Sequence, residues 1–263
     1  MNQPTVQLSV VIITFNEEAC IERCIRSVKA VADEVLVVDS FSTDRTEEIC
    51  RTHGVRFVQH PFDGYIEQKN RAWEMAGGTY LLSLDADEAL SDELLLSVQI
   101  EKNKGFPSGA YTMNRRTSIG EKWIRHGSWY PDRKLRLAKK ELARWGGVNP
   151  HDKLILNNEV KTEHLNGDIL HYSFKSMYAF RQQGERFSKI AAEAMHKNGK
   201  KSSFIKIYIS PVVAFIKSYF IKRGFLDGKE GYIIAKEIAR QTKIKYVELK
   251  ENWKSMRPLE ESP

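Results

Sequence analysis

LSVVIIT at residues 8–14 is a short, continuous apolar run rich in Val and Ile, and it passes straight into the polar FNEE of residues 15–18. Such a run predicts a strand buried on both faces, because a half-exposed strand would alternate apolar with polar. The next segments fix the class. Residues 17–31 put Ile21, Cys24, Ile25 and Val28 on one helical face. EVLVVD at 34–39 is a second buried strand. A helix through Cys50 follows, with Ser42 or Thr43 as its expected cap and Asp44, Glu47 and Glu48 near its positive end. Residues 55–59 form a third strand, and Asp63 is placed to cap a helix over 65–76 that Gly77-Gly78 ends. TYLLSL at 79–84 is the fourth strand, and Ser91 caps a helix to Lys102. Strands separated by helices at this spacing predict βαβ units, hence an α/β fold whose parallel sheet is covered on both faces.

The middle of the chain departs from this rhythm. Residues 110–117 and 134–138 read as strands of mixed direction, and 169–172 as a last short strand. Gly146, Gly147, Asn149 and Pro150 read as an irregular loop. From Ser173 the pattern turns helical, over 174–197, 204–221 and 229–253, and Arg257–Pro263 reads as disordered. The expected division is therefore 1–173 and 174–263. No Pro/Ser-rich linker separates the two parts.

The whole chain has 263 residues, 41% apolar and 29% charged, which suits a sizeable core and excludes disordered, collagen-like and multi-span membrane classes. Cys20, Cys24 and Cys50 are too few and too irregular for a disulfide framework or a zinc site. They read as reduced thiols of a cytoplasmic protein, and Met1–Gln7 lacks the pattern of a leader. The charge is uneven. Residues 1–152 carry 20 basic and 22 acidic side chains, net −2, whereas residues 153–263 carry 21 and 12, net +9. The basic surplus points to an anionic partner. Without a zinc finger, an RNP motif or basic–aromatic interleaving, that partner is not a nucleic acid but an anionic membrane surface or a phosphorylated glycolipid.

In open α/β sheets ligands bind beyond the carboxyl ends of the strands. There the chain places Thr14-Phe15-Asn16-Glu17, Asp39-Ser40-Phe41-Ser42 and Asp85-Ala86-Asp87-Glu88, polar groups that no core requires. A dinucleotide GxGxxG, a P-loop and a GxSxG elbow are all missing. The lack of a Gly-rich turn after the first strand also argues against a nucleotidyltransferase. Two carboxylates two residues apart at a strand end, Asp85 and Asp87, suit a hard divalent cation, Mg2+ or Mn2+, bridging a diphosphate. The plainer alternative is that they cap the following helix. Asp39 offers an acceptor to a base N–H or to ribose hydroxyls, or else closes its own loop. Gln68-Lys69-Asn70 either faces the same cleft or is a solvated helix face.

Together, LSVVIITFNEE, EVLVVDSFSTDRT, QKNRA and LDADE resemble glycosyltransferase family 2, with its GT-A fold, a Rossmann-like nucleotide-diphospho-sugar transferase architecture of mixed sheet. WYPDRKLRL at 129–137, GVNPHDKL at 147–154 and GFLDG at 224–228 resemble a subgroup of lipopolysaccharide-core β-1,4-glucosyltransferases that act on heptose. The resemblance implies an inverting transfer of glucose from UDP-glucose to a glycolipid hydroxyl. It places Thr14, Asn16 and Glu17 along the nucleotide pocket, Asp39 at the uracil and ribose, and Lys69 and Asn70 near the nucleotide. Asp85 and Asp87 would hold ribose and metal, with Arg133 or Arg136 beside the departing diphosphate. The subgroup's His-Glu is His151-Asp152 here, which makes Asp152 the implied catalytic base. His171 follows as a further metal or diphosphate contact, or as a purely structural histidine. A non-catalytic nucleotide-sugar-binding or membrane scaffold on the same fold is the competing reading, and the four aspartates weigh against it.

FIKIYISPVVAFIKSYFI at 204–221 has the length of a membrane span, but Lys206 and Lys217 lie inside it and Pro211 interrupts it. Two readings stay open. One is a helix packed into the core. The other is an interfacial helix with its apolar face on lipid and Lys200, Lys201, Lys222 and Arg223 on anionic head groups, which would put the protein at the inner face of the cytoplasmic membrane.

Overall fold

Alternation along each buried strand sends successive side chains to opposite faces, and two apolar layers follow from it. The computed structural model describes residues 6–148, 151–174 and 176–255. Four parallel strands come first: β1 Leu8–Thr14, β2 Glu34–Asp39, β3 Arg56–Gln59 and β4 Tyr80–Asp85. Between them lie α1 Ile21–Val28, α2 Thr46–Thr52 and α3 Tyr65–Met75. Val10, Ile12, Val37, Leu82 and Leu84 pack on the α1 side with Cys24, Ile25 and Val28. Val11, Leu36, Val38 and Leu81 pack on the other side with Ala72 and Trp73 of α3.

The further strands and α-helices among the described residues are β5 Glu88–Leu90, α4 Asp92–Asn103, β6 Ala110–Ile119, β7 Lys122–Trp123, β8 Asp132–Lys139, β9 Ala143–Val148, β10 His151–Leu156, β11 Thr162–Phe174, α5 Met177–Lys197, α6 Ser210–Ile216 and α7 Gly228–Ser255. The sheet order is β3-β2-β1-β4-β8-β6-β11-β5, with β8 antiparallel to both β4 and β6. β9 and β10 make a separate antiparallel pair.

Sequence expectation and structure differ at identifiable places. Gly146 and Gly147 are not loop residues but lie in β9, paired with Lys153 and Asp152. A Cβ on Gly146 would come within 2.8 Å of Ile155 Cδ1, the tip of a side chain on the paired strand β10. The short strand expected at 169–172 is part of the 13-residue β11. Ser91 caps α4 through Leu94 N. Ser42 and Thr43 do not cap α2, whose first residue Thr46 is instead bonded by Asp44 (N to Oδ1, 3.0 Å). Asp63 does not cap α3 but pairs with Arg71 at 2.7 Å. Asn149, Pro150, the first five residues and the expected disordered end at 257–263 lie outside the described residues.

Two carboxylates fasten the beginning of β1. Asp33 Oδ2 accepts from Gln7 N and Leu8 N, and Asp33 Oδ1 from Lys102. Glu34 Oε2 accepts from Ser9 Oγ and Gly77 N, with Arg56 at 3.0 Å from Oε1. Burial alone would raise both carboxyls; these bonds outweigh it and hold both below their ordinary values. A group whose folded pKa is depressed stabilises fully above its unfolded pKa and loses that contribution as pH falls through the folded value. The thermal midpoint is therefore expected to stay level from about pH 7 to about pH 5 and to fall below about pH 4, near the unperturbed carboxylate range. In Asp33→Asn/Glu34→Gln, calorimetry should show a lower midpoint at neutral pH and a shallower acid decline. An unchanged acid decline would assign it to other groups.

The chain divides into two compact units. The first runs to Arg116 and resumes over Asp132–Tyr172; the second comprises Thr117–Pro131 and the chain from Ser173 onward. The second unit therefore includes the 117–131 segment, which the expected 173/174 division had assigned to the first part. Within it, α5, α6 and α7 pack together, and Ile119, Ile124 and Ile234 form a small core with Trp129, Phe174 and Met177. Its GFLDG stretch is structural. Asp227 accepts from Arg125 N, His126 N and His126 Nδ1, while a Cβ on Gly224 would meet Ser218 O at 2.7 Å.

Candidate active site

The carboxyl ends of β1 and β4 lie side by side, because Ile13 is in register with Asp85. Onto that edge α3 projects Lys69, whose side chain is only 4% exposed. Its ammonium stands 2.9 Å from Asp85 Oδ1 and 2.8 Å from Asp152 Oδ2, and 4.5 Å above the Trp145 ring. One cation thus joins two carboxylates, one from β4 and one from β10. Burial would raise the Asp85 carboxyl, but the charges of Lys69 and Arg136, helped by His171, hold it well below the usual range.

Arg136 enters the same cluster through a β-bulge. Tyr111 pairs with Leu137 and Thr112 with Leu135, so Arg136 is the extra residue of β8. A bulge re-aims a side chain in this way. The buried guanidinium donates to Glu88 Oε1 at 3.0 Å, lies 3.4 Å from Asp85 Oδ2, and sits 5.3 Å from the Trp145 ring centre. Burial disfavours its charge, and the surrounding Glu88, Asp85 and Asp152 more than compensate. Arg133 falls elsewhere: it is exposed, and its charge acts on His164.

Glu88 is the residue that sequence reading passed over. It is fully buried, accepts from Asp85 N at 3.0 Å and from Arg136, and has Arg115 Nη1 at 3.6 Å. Arg115 in turn holds Asp132 at 3.0 Å. The signal was present, since Glu88 directly follows the Asp85-Ala86-Asp87 triplet and a buried Glu needs a cation.

Asp87 takes a different ion-pair partner from Asp85. The chain turns at Ala86, and the Asp87 Oδ2 lies 3.2 Å from His171 Nε2 on β11. Among the described residues no group of three or more His, Cys, Asp and Glu is arranged to hold a metal. Of the expected trio, Asp87 and His171 stand together, while Asp85 is ion-paired with Lys69 and Arg136. A carboxylate beside an imidazole still fits Mg2+ or Mn2+, which are commonly held by one or two protein groups with substrate phosphates and water completing the shell.

The other expected residues divide. Thr14 ends β1, buried, with Oγ1 lacking a hydrogen-bond partner. Asn16, at φ 53°, accepts from Thr43 N at 2.8 Å and donates its backbone N–H to Ser42 Oγ, tying the β1 and β2 loops together. Glu17 N donates to Thr46 Oγ1, and its carbonyl receives Ile21 N at the start of α1. Asp39 is fully buried and taken up by Ser42 and Gln59, so it closes its own loop. Asn70 is turned from the cluster: its amide bonds both Trp145 N and Trp145 O at 3.0 and 2.9 Å, pinning β9 to α3. Arg136 Nη1 and Trp145 Nε1 are buried without a hydrogen-bond partner, like Thr14 Oγ1. Buried polar atoms are ordinarily paired, so a concentration of such atoms beside ion-paired carboxylates suits a polar ligand.

Residues 9–160 match the sequence model of glycosyl transferase family 2. An uncharacterised glycosyltransferase of Rickettsia typhi is 32% identical over 242 residues, covering 86% of this chain and 81% of its own. The chain belongs to glycosyltransferase family 2. A further relative is the lipopolysaccharide core biosynthesis glycosyltransferase LpsC of Rhizobium meliloti, 28% identical over 239 residues, 88% of this chain and 87% of that one. Among solved structures, glucosyl-3-phosphoglycerate synthase from Mycobacterium tuberculosis in complex with phosphoglyceric acid superposes with TM-score 0.50 at 20% identity, covering 75% of this chain and 82% of that one. That likeness is one of fold, and the architecture of this family 2 chain is the mixed-sheet GT-A type with added C-terminal helices.

Proposed function

We propose that this family 2 enzyme transfers glucose from UDP-glucose to a hydroxyl of a lipopolysaccharide-core or related glycolipid, inverting the anomeric carbon, at the cytoplasmic face of the membrane. The carrying observation is the pair of carboxylates, Asp85 and Asp152, set 2.9 and 2.8 Å from one buried ammonium at the carboxyl edge of β4. The acceptor class is supported by the likeness to LpsC along 88% of this chain.

In this reading Asp152 takes the proton of the acceptor hydroxyl. The oxygen attacks the anomeric carbon opposite the diphosphate; the new C–O bond forms as the bond to the diphosphate breaks, and UDP departs. Lys69 and Arg136 face the charge that grows on the leaving group. Asp85 keeps Lys69 aimed and lines the ribose side. Asp39, through Ser42, shapes the loop that receives the uridine, while Thr14, Asn16 and Glu17 line the pocket. Asp87 and His171 would hold a divalent cation, which when bound supplies further positive charge to the diphosphate.

The test is UDP release from UDP-glucose with Mg2+ or Mn2+, with and without truncated lipopolysaccharide acceptors, followed by NMR of the product's anomeric configuration. Acceptor-dependent release with inversion is expected. Retention, or no release from any UDP- or GDP-sugar tried, would overturn the reading. His171→Ala is expected to raise the Mn2+ concentration for half-maximal binding, titrated in the presence of UDP, by about tenfold to a hundredfold. An unmoved titration would remove His171 from the cation site.

A further inference from the structure

The second unit carries an apolar face that its own packing leaves uncovered. Along residues 204–221 two columns repeat every four residues: Phe204, Tyr208, Val212, Ile216 and Phe220, and Ile205, Ile209, Val213 and Ile221 with Lys217 between the last two. All are exposed, from 43% at Ile216 to 72% at Ile221, while Ile207, Pro211 and Ser218 are buried on the opposite side. In a plain α-helix, at about 3.6 residues per turn, a four-residue repeat would wind off one side. Wider π turns at Ile205–Ile209 and Lys217–Ile221 flank α6 and oppose that winding. The sequence and the unusual backbone thus cooperate to present one continuous stripe. At one end it widens, since Tyr219 brings Phe220, Phe225 and Tyr232 within ring contact, and these three are also exposed.

Charge identifies what covers it. Residues 197–226 contain seven basic side chains (Lys197, Lys200, Lys201, Lys206, Lys217, Lys222 and Arg223) and no acidic one. Lys200 and Lys201 precede the stripe, and Lys222 and Arg223 follow it, all exposed. A second copy laid on this face, parallel or antiparallel, would set basic ends on basic ends. An anionic bilayer matches both features: hydrocarbon for the stripe, phosphate for its ends, with aromatic side chains at each end as interfacial anchors.

We propose that this face docks in the plane of an anionic phospholipid surface. The proposal does not depend on the transferase reading, and its test uses no donor sugar. The full chain is floated with vesicles of phosphatidylcholine alone and of phosphatidylcholine with phosphatidylglycerol, at low and high salt. Binding to the anionic vesicles, weakened by salt, is expected. Ile209→Glu/Val213→Glu, two exposed positions whose change should leave the thermal midpoint unaltered, is expected to lower partition by at least about tenfold. Lys217→Gln/Lys222→Gln should lower it by about tenfold on anionic vesicles only. Absence of flotation with anionic vesicles, or undiminished flotation of the Ile209→Glu/Val213→Glu protein, would overturn the proposal. So would a concentration-dependent dimer in sedimentation velocity that this same variant abolishes.

Discussion

Replacing Asp152 with Asn is expected to lower kcat about a thousandfold while leaving the donor Kd within about twofold of wild type. The split follows from what the side chain does in each state. Asn keeps the size of Asp and an oxygen for the Lys69 ammonium, now 2.8 Å from Asp152 Oδ2, so the β10 position and the donor side of the cluster persist. It cannot take a proton from the acceptor hydroxyl, and a positioned base contributes about 100- to 10,000-fold to such a step. Single-turnover UDP release, set beside calorimetric titration with UDP-glucose, separates the two quantities. Turnover at the wild-type rate would move the base to another residue. Equal losses in kcat and in donor affinity would mean that Asp152 organises the donor pocket instead.

Lys69→Met is expected to reduce folding stability by about 3–5 kcal/mol at neutral pH, the usual consequence of removing one partner from a buried ion pair. The methionine fills the space over Trp145 but leaves Asp85 and Asp152 facing each other with Arg136 alone to balance Asp85. The pH dependence distinguishes this from simple loss of packing. With one cation left between two facing carboxyls, the pair binds a proton more readily when folded than unfolded, so a folded pKa rises, and the variant gains stability as pH falls from about 7 toward about 5. The wild-type protein is expected to stay level over that interval. Urea unfolding midpoints at both pH values provide the comparison. A loss below about 1 kcal/mol with no pH trend would show that the ammonium does not hold the carboxylates together.

Much of the first unit was legible because its signals are local. β1, β2 and α3 fall within a residue or two of where the apolar runs and helical faces put them. Asp85 and Asp87 were recognisable from their place after a buried strand. The caps of α2 and α3 were misassigned because Ser, Thr and Asp near a helix start are plentiful, and only the final backbone selects which one bonds an amide. β9 was read as a loop because paired glycines mark a turn and a close strand approach alike. Asn70 looked like a nucleotide contact by its neighbour Lys69, yet one helical step turns it to the β9 backbone.

The sequence by itself determined the α/β class, the family motifs, the edge of the sheet where polar groups gather and the basic character of the tail. All of these follow from periodicity, strand ends and charge, which a short window contains. Only the tertiary structure decided that Lys69 binds Asp152, 83 residues away, that a bulge selects Arg136 over Arg133, and that Asp87 joins His171 instead of Asp85. It also decided which side of the 204–221 segment faces outward. Those outcomes depend on register and on which strands meet. A shift of one residue sends a side chain to the other face, and no local pattern records that choice.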